Sequence, residues 1–264
     1  MRFRRRKARP FPLAGSPAGI DEMPVRTRRR GIYLLPNLFT MAALFSGFFA
    51  IVQAMNQRFE LAAIAIFAAM VLDGMDGRVA RLTNTQSAFG EQFDSLSDMT
   101  SFGVAPALVM YEWVLSELGR WGWAAAFVYC AGAALRLARF NTTLEVIDKR
   151  YFQGLPSPAA AALVAGLVWV MIDNNINGQE VRWFAFAITL FAGITMVSSF
   201  RFYSFKDINL RRSVPFFVVI AVVLAFVFIS SYPPGVLFAL FLVYAASGYV
   251  LTAWQWMQRR RKAV

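Results

Sequence analysis

Four aspartates stand at close spacings inside an otherwise apolar stretch: Asp73 and Asp76, then Asp94 and Asp98. They are half of the aspartates in a chain that is 58% apolar and only 16% charged. On a helix, Asp73, Asp76, Gly77 and Ala80 share one face with Arg81 beside them, and Gly90, Asp94 and Asp98 follow an i, i+4, i+8 stripe. Two antiparallel helices can aim both sets at one point, and Gly77, Ala80 and Gly90 let backbones or a ligand approach. An ionised carboxylate costs about 2.5–3.5 kcal/mol near a bilayer centre and less at its edge. Arg78 and Arg81 offset part of that charge, and two divalent cations would cancel it. Oxygen-only donors select Mg²⁺ or Mn²⁺ over zinc or copper. A pair of such ions suits phosphoryl chemistry, clamping attacking and leaving oxygens.

The elements that must position these residues are apolar runs long enough to approach a bilayer span. The expected fold is all-α, a polytopic membrane bundle of about eight helices near 33–55, 59–83, 92–117, 121–141, 156–173, 182–200, 213–231 and 235–256. Asn56-Gln57-Arg58 reads as a tight turn, and Asp173–Gly178 and Ser231–Gly235 read as loops. The runs are continuous rather than alternating, which argues against a β-barrel. Three regions are expected: a basic tail over 1–30, a core over 31–205 with six helices, and a final part over 206–264 holding two further helices to which no chemistry is assigned.

The chain has 264 residues and a net charge of +12. Of its 27 Lys and Arg residues, only Arg58, Arg120 and Arg182 fall on one side of the expected spans. The positive-inside rule therefore places both termini and the aspartates in the cytoplasm, with a bacterial inner membrane as the expected home. The basic tail serves as a topology signal or a contact for anionic lipid headgroups, and no folded module accompanies it to bind nucleic acid. Trp121, Trp123 and Trp183 fall at the expected outer interface, with Trp254 and Trp256 near the inner one. Histidine is absent, which excludes imidazole acid–base chemistry and histidine metal ligation. The single cysteine, Cys130, excludes an intramolecular disulfide.

The run from Asp73 to Asp98 fits D-x-x-D-G-x-x-A-R-x8-G-x-x-x-D-x-x-x-D at every defined position. It resembles the signature of the CDP-alcohol phosphatidyltransferases. Leu35-Pro36-Asn37-Leu38-Phe39-Thr40, Asp98-Met99-Thr100-Ser101-Phe102-Gly103, Arg136-Leu137-Ala138-Arg139-Phe140-Asn141 and Phe152-Gln153-Gly154-Leu155-Pro156-Ser157-Pro158 together look like the membrane-embedded phosphatidylserine synthases within that family. The resemblance implies metal-dependent transfer of a phosphatidyl group from CDP-diacylglycerol to an alcohol, L-serine, with release of CMP.

Under that reading, Asp73, Asp76 and Asp94 hold Mg²⁺ or Mn²⁺, two ions being expected. Asp98 completes the site and serves as general base. The resemblance puts Gly77, Arg81, Ser87 and Gly90 near the CDP-lipid, with Asn37 and Thr40 on the opposite wall. Helix capping after Pro36 is the competing role for Asn37 and Thr40. The carboxylate of serine needs a cation: Arg139 is the first candidate and Arg136 the second, with Asn141 as hydrogen-bonding neighbour. Both arginines also satisfy the positive-inside rule without any ligand. Glu91 lies off the aspartate stripe and is left out. Membrane lipids are expected partners, and a homodimer is one expectation for assembly. Two other readings stay open: an acceptor such as glycerol 3-phosphate or inositol phosphate, which would call for a denser basic cluster, and a cation transporter, which would place carboxylates nearer the midplane.

Overall fold

A computed structural model describes residues 34–83, 85, 87–143, 151–203 and 216–262. The basic tail, Lys206, Arg211 and Arg212 lie outside the described residues. Within them the protein is an all-α bundle with one small ladder. Three helices are long and apolar enough to cross a membrane, over Pro36–Met55, Gly178–Val197 and Pro233–Thr252.

The first two helices, α1 (Leu34–Met55) and α2 (Phe59–Thr83), form an antiparallel hairpin. Its turn is closed by Arg58 N–H on Gln53 O at 2.9 Å, with Gln57 at φ 60°. Alanines make the hairpin tight: Ala43, Ala50 and Ala54 on α1 and Ala62, Ala63 and Ala69 on α2 are buried. Side chains without bulk let the backbones approach, and Ser46 Oγ then reaches Ala65 O at 2.9 Å.

The third expected helix, 92–117, differs in the structure. It begins earlier and is divided into α3 (Ala88–Asp98), a π-helical turn (Met99–Val104), α4 (Ala105–Trp113) and a final 3-10 turn (Leu115–Leu118). Pro106 explains the break. It has no N–H to give to Phe102 O, and Ala105 N–H bonds Thr100 O instead, the wider π pattern. The carbonyl of Phe102 is taken by the hydroxyl of Tyr129 at 3.0 Å, from within the fully buried core. Two serines knit this segment to α1: Ser97 Oγ bonds Thr40 O at 3.2 Å and Ser101 Oγ bonds Ala43 O at 3.1 Å. Gly47 permits the crossing, since a Cβ there would lie 2.7 Å from Ser101 Cα.

The next helix, α5 (Arg120–Thr143), crosses α7 (Gly178–Val197) at a glycine contact. A Cβ on Gly132 would stand 2.5 Å from Gly193 O. Between them in sequence, α6 (Ser157–Asp173) is the central post, buried from Ala159 to Val168 and packed against α2, α4, α7 and α9. Two stretches expected as loops instead pair as short antiparallel strands, β1 (Tyr151–Gln153) and β2 (Arg201–Tyr203), in the register Phe152 to Phe202. The last helices are α8 (Phe216–Ser231) and α9 (Pro233–Lys262). Helix α9 runs beyond its expected bounds at both ends and lies along α6 and β2, whereas α8 exposes Val223, Leu224, Phe226 and Phe228.

The N-terminal end of α1, the C-terminal ends of α2, α5 and α7, and the N-terminal end of α6 gather at one end of the bundle. Arg58, Arg120 and Arg182 start α2, α5 and α7 at the other.

The Phe102 carbonyl takes the Tyr129 hydroxyl inside the buried core, so Tyr129→Phe is expected to destabilise the protein by about 1 kcal/mol. Thermal unfolding in detergent measures this, and an unchanged midpoint would show that the carbonyl has another donor.

Candidate active site

Asp73 and Asp76 lie about one turn apart on the last third of α2, and Asp94 and Asp98 one turn apart on α3. The α1–α2 hairpin and the serine contacts of α3 with α1 bring the two pairs together. One carboxylate oxygen each from Asp73, Asp76 and Asp94 lie within 4.8 Å of one another. Asp98 lies beside this group, within electrostatic reach of Asp73, Asp94 and Arg136.

At 4.8 Å two unit charges repel by about 3 kcal/mol in a medium of intermediate dielectric constant, so the bare cluster opposes its own assembly. Oδ1 of Asp94 and Oδ1 of Asp98 are both buried, with no hydrogen-bond partner among the described residues. Buried, unsatisfied anionic oxygens in an all-carboxylate set fit hard divalent cations. Asp76 is oriented by a protein donor: Thr40 Oγ1 gives its proton to Asp76 Oδ2 at 2.7 Å, with Pro36 O as a second acceptor at 3.2 Å. Thr40 thus orients a carboxylate and back-bonds a carbonyl of its own helix; its hydroxyl donates, whereas a cap accepts from a backbone N–H.

A cavity of about 230 Å³ opens beside the carboxylates. Asn37, Thr40, Gly77, Arg81, Ser87 and Gly90 all line it, along with Asp76 and Asp94. Ser87 caps α3, accepting from Gly90 N–H at 3.0 Å. Gly90 keeps that cap close to α1, for a Cβ there would sit 3.4 Å from Asn37 Oδ1. Arg81 is anchored by Nε on Gly77 O at 2.8 Å. Gly77 differs from the other close-packed glycines: a Cβ on it would meet no atom within 4 Å, so the space it leaves belongs to the cavity. Glu91 and Thr85 also line the wall. Stripe reasoning passed over Glu91 because that stripe follows one helix face, whereas the cavity also meets the first turn of α3.

The acceptor candidates separate. Arg136 Nη1 donates to the buried Ser157 Oγ at 2.6 Å, and its guanidinium is within electrostatic reach of Asp98. Arg139, the first candidate from sequence, gives hydrogen bonds to Gln153 O at 2.9 Å, Val197 O at 3.1 Å and Ser198 O at 3.3 Å. It therefore caps the C-terminal end of α7 and ties β1 to it, a bond set that suits a guanidinium's several donors. Asn141 Nδ2 donates to Ser95 Oγ at 3.0 Å, tying α5 to α3 between Asp94 and Asp98. Ser157 had no role in the sequence reading, although it lies within the quoted Phe152–Pro158 segment.

Residues 33–197 match the model of the CDP-alcohol phosphatidyltransferase family. Among curated proteins, a CDP-diacylglycerol–serine O-phosphatidyltransferase of Helicobacter pylori is 40% identical over 217 residues, 81% of this chain and 90% of that protein. Proteins of the same name from Methanocaldococcus jannaschii and Saccharomyces cerevisiae are 34% and 38% identical, covering 66% and 54% of this chain and 75% and 57% of their own lengths.

Two glycines give opposite expectations. Gly154 has φ 78°, and a Cβ there would lie 2.2 Å from Met196 O, so Gly154→Ala should lower the thermal midpoint markedly. Gly77→Ala should hold or raise it, helix propensity adding up to about 1 kcal/mol of stability. Paired melts in detergent check both, and a large loss for Gly77→Ala would mean that protein atoms fill that space.

Proposed function

The chain belongs to the CDP-alcohol phosphatidyltransferase family, and from that premise we propose that it makes phosphatidylserine, transferring the phosphatidyl group of CDP-diacylglycerol to L-serine with release of CMP. The observation that carries the reading is the convergence of the carboxylates of α2 and α3 on a cavity lined by all six residues expected near the CDP-lipid. The relatives' shared name, CDP-diacylglycerol–serine O-phosphatidyltransferase, supports serine as acceptor.

Asp73, Asp76 and Asp94, with Asp98 completing the set, would hold two Mg²⁺ or Mn²⁺ ions, whose charge would draw electron density from the pyrophosphate oxygens. Arg81 faces the same cavity and adds positive charge. Arg136 receives the carboxylate of serine. It is held by Ser157 and stands within electrostatic reach of Asp98, so a serine seated there presents its hydroxyl to that carboxylate. Asp98 takes the hydroxyl proton as the serine oxygen bonds to the β-phosphorus. The bond from that phosphorus to the bridging oxygen breaks, and CMP departs with the electron pair. A carboxylate is a weak base for an alcohol, so orientation of the two substrates supplies much of the rate.

Among the described residues, the carboxylates and the cavity sit at the bundle end that carries most of the Lys and Arg, with Arg58, Arg120 and Arg182 at the other. This supports a cytoplasmic active site and cytoplasmic termini, about eight membrane-crossing or membrane-embedded segments, and an inner-membrane location in a bacterium.

Purified protein given CDP-diacylglycerol and labelled serine, glycerol 3-phosphate or inositol phosphate tests the reaction. Release of CMP with serine alone is expected, and turnover of a phosphorylated acceptor instead would overturn the assignment. Asp98→Asn should cut kcat at least about 100-fold, the scale of a lost general base. It should also spare CDP-diacylglycerol binding more than Asp73→Asn does. Full activity in Asp98→Asn would remove that residue from the proton transfer.

A further inference from the structure

Helix α9 lies beyond the stretch that matches the family, yet its middle is fastened to the corner where α7 runs into β2. The hydroxyls of Tyr249 and Thr195 are 2.6 Å apart, and Thr195 is fully buried. The Tyr249 ring lies against Phe200, with centroids 4.5 Å apart. One turn earlier, the Tyr244 ring is 5.8 Å from that of Phe202. Between the two tyrosines, Gly248 gives Phe202 its place, because a Cβ there would fall 2.3 Å from that ring.

The opposite side of this corner is held by the acceptor side of the site. Leu155 N–H bonds Thr195 O at 3.1 Å and Gly154 N–H bonds Phe200 O at 2.9 Å. Arg139 bonds the carbonyls of Val197 and Ser198. The short Gly154–Pro156 link then leads directly to Ser157, the residue that holds Arg136. Tyr244 is itself within electrostatic reach of Arg136. Residues 195–202 are thus gripped between α9 on one side and the arginine-bearing elements on the other.

We propose that α9 is a positioning element of the acceptor site, with Tyr249 and Tyr244 fixing the α7–β2 corner and, through it, the arginine that receives the carboxylate of serine. The inference rests on Arg136 as the acceptor's cation. Its physical basis is geometric: a shift of about 1 Å in a substrate-orienting group costs up to about 100-fold in rate, so a hydrogen bond remote from the reacting atoms is felt in substrate use. The tyrosines touch neither substrate in this account and act only through the corner they hold.

The full-length protein in detergent provides the test, with Tyr249→Phe, Thr195→Val and the double variant Tyr249→Phe/Thr195→Val. The single variants should raise the KM for serine about five-fold, the worth of one neutral hydrogen bond, with the KM for CDP-diacylglycerol unchanged. The double variant should be no worse than either of its parents, since all three lack the same contact. Parallel rises in both KM values with a lowered thermal midpoint would overturn the proposal in favour of general stabilisation. Arg136→Gln separates the two levels. A serine KM raised by Arg136→Gln but untouched by the tyrosine variants overturns the role of α9 alone. A serine KM untouched by Arg136→Gln overturns the acceptor reading and this inference with it.

Discussion

Carboxylates held within 4.8 Å of one another repel, and the packing of the site end of the bundle works against that repulsion. Helices α1, α2 and α3 meet with almost no side-chain bulk between them. Buried alanines join α1 to α2, Gly47 admits Ser101, and two serine hydroxyls reach across to α1 carbonyls. Such close contact leaves α3 little freedom to carry Asp94 and Asp98 away from Asp73 and Asp76. Thr40 fastens Asp76 from the third side. The buried, unsatisfied oxygens on Asp94 and Asp98 are what remains once the protein has supplied its own donors, and they point to cations as the missing partners.

A second constraint lies directly after Asp98. Pro106 breaks the regular bond pattern, the backbone widens into a π turn, and Tyr129 on α5 closes the gap. The same turn that ends the catalytic stripe therefore ties it to α5, which carries Arg136 and Arg139. The carboxylates and the two arginines thus stand on a connected helical framework rather than on separate loops.

The carboxylate stripes and the order of the helices were legible from local spacing, a three- or four-residue period, a small residue or a turn, whereas the expectation for the cavity-lining residues came from the family resemblance. What escaped was set by contacts between elements distant in sequence. Sequence put Arg139 before Arg136 as the acceptor cation, and only the arrival of β1 and the end of α7 shows that Arg139 also has backbone carbonyls to bond. Pro106 marks the break in the third helix, but the π turn and the Tyr129 hydroxyl that meets it from α5 are seen only in the structure. Three-residue strands carry too little pattern to be read from sequence, and α9 disclosed no role because hydrophobic periodicity alone does not say which neighbour a helix meets.

We propose that the four carboxylates form one site balanced by divalent cations. Titration of the purified protein with Mn²⁺, followed by electron paramagnetic resonance, tests this. Two tightly bound ions per chain are expected in the native protein, with loss of ion binding in Asp94→Asn. An absence of tight Mn²⁺ binding, or full binding in Asp94→Asn, would contradict it.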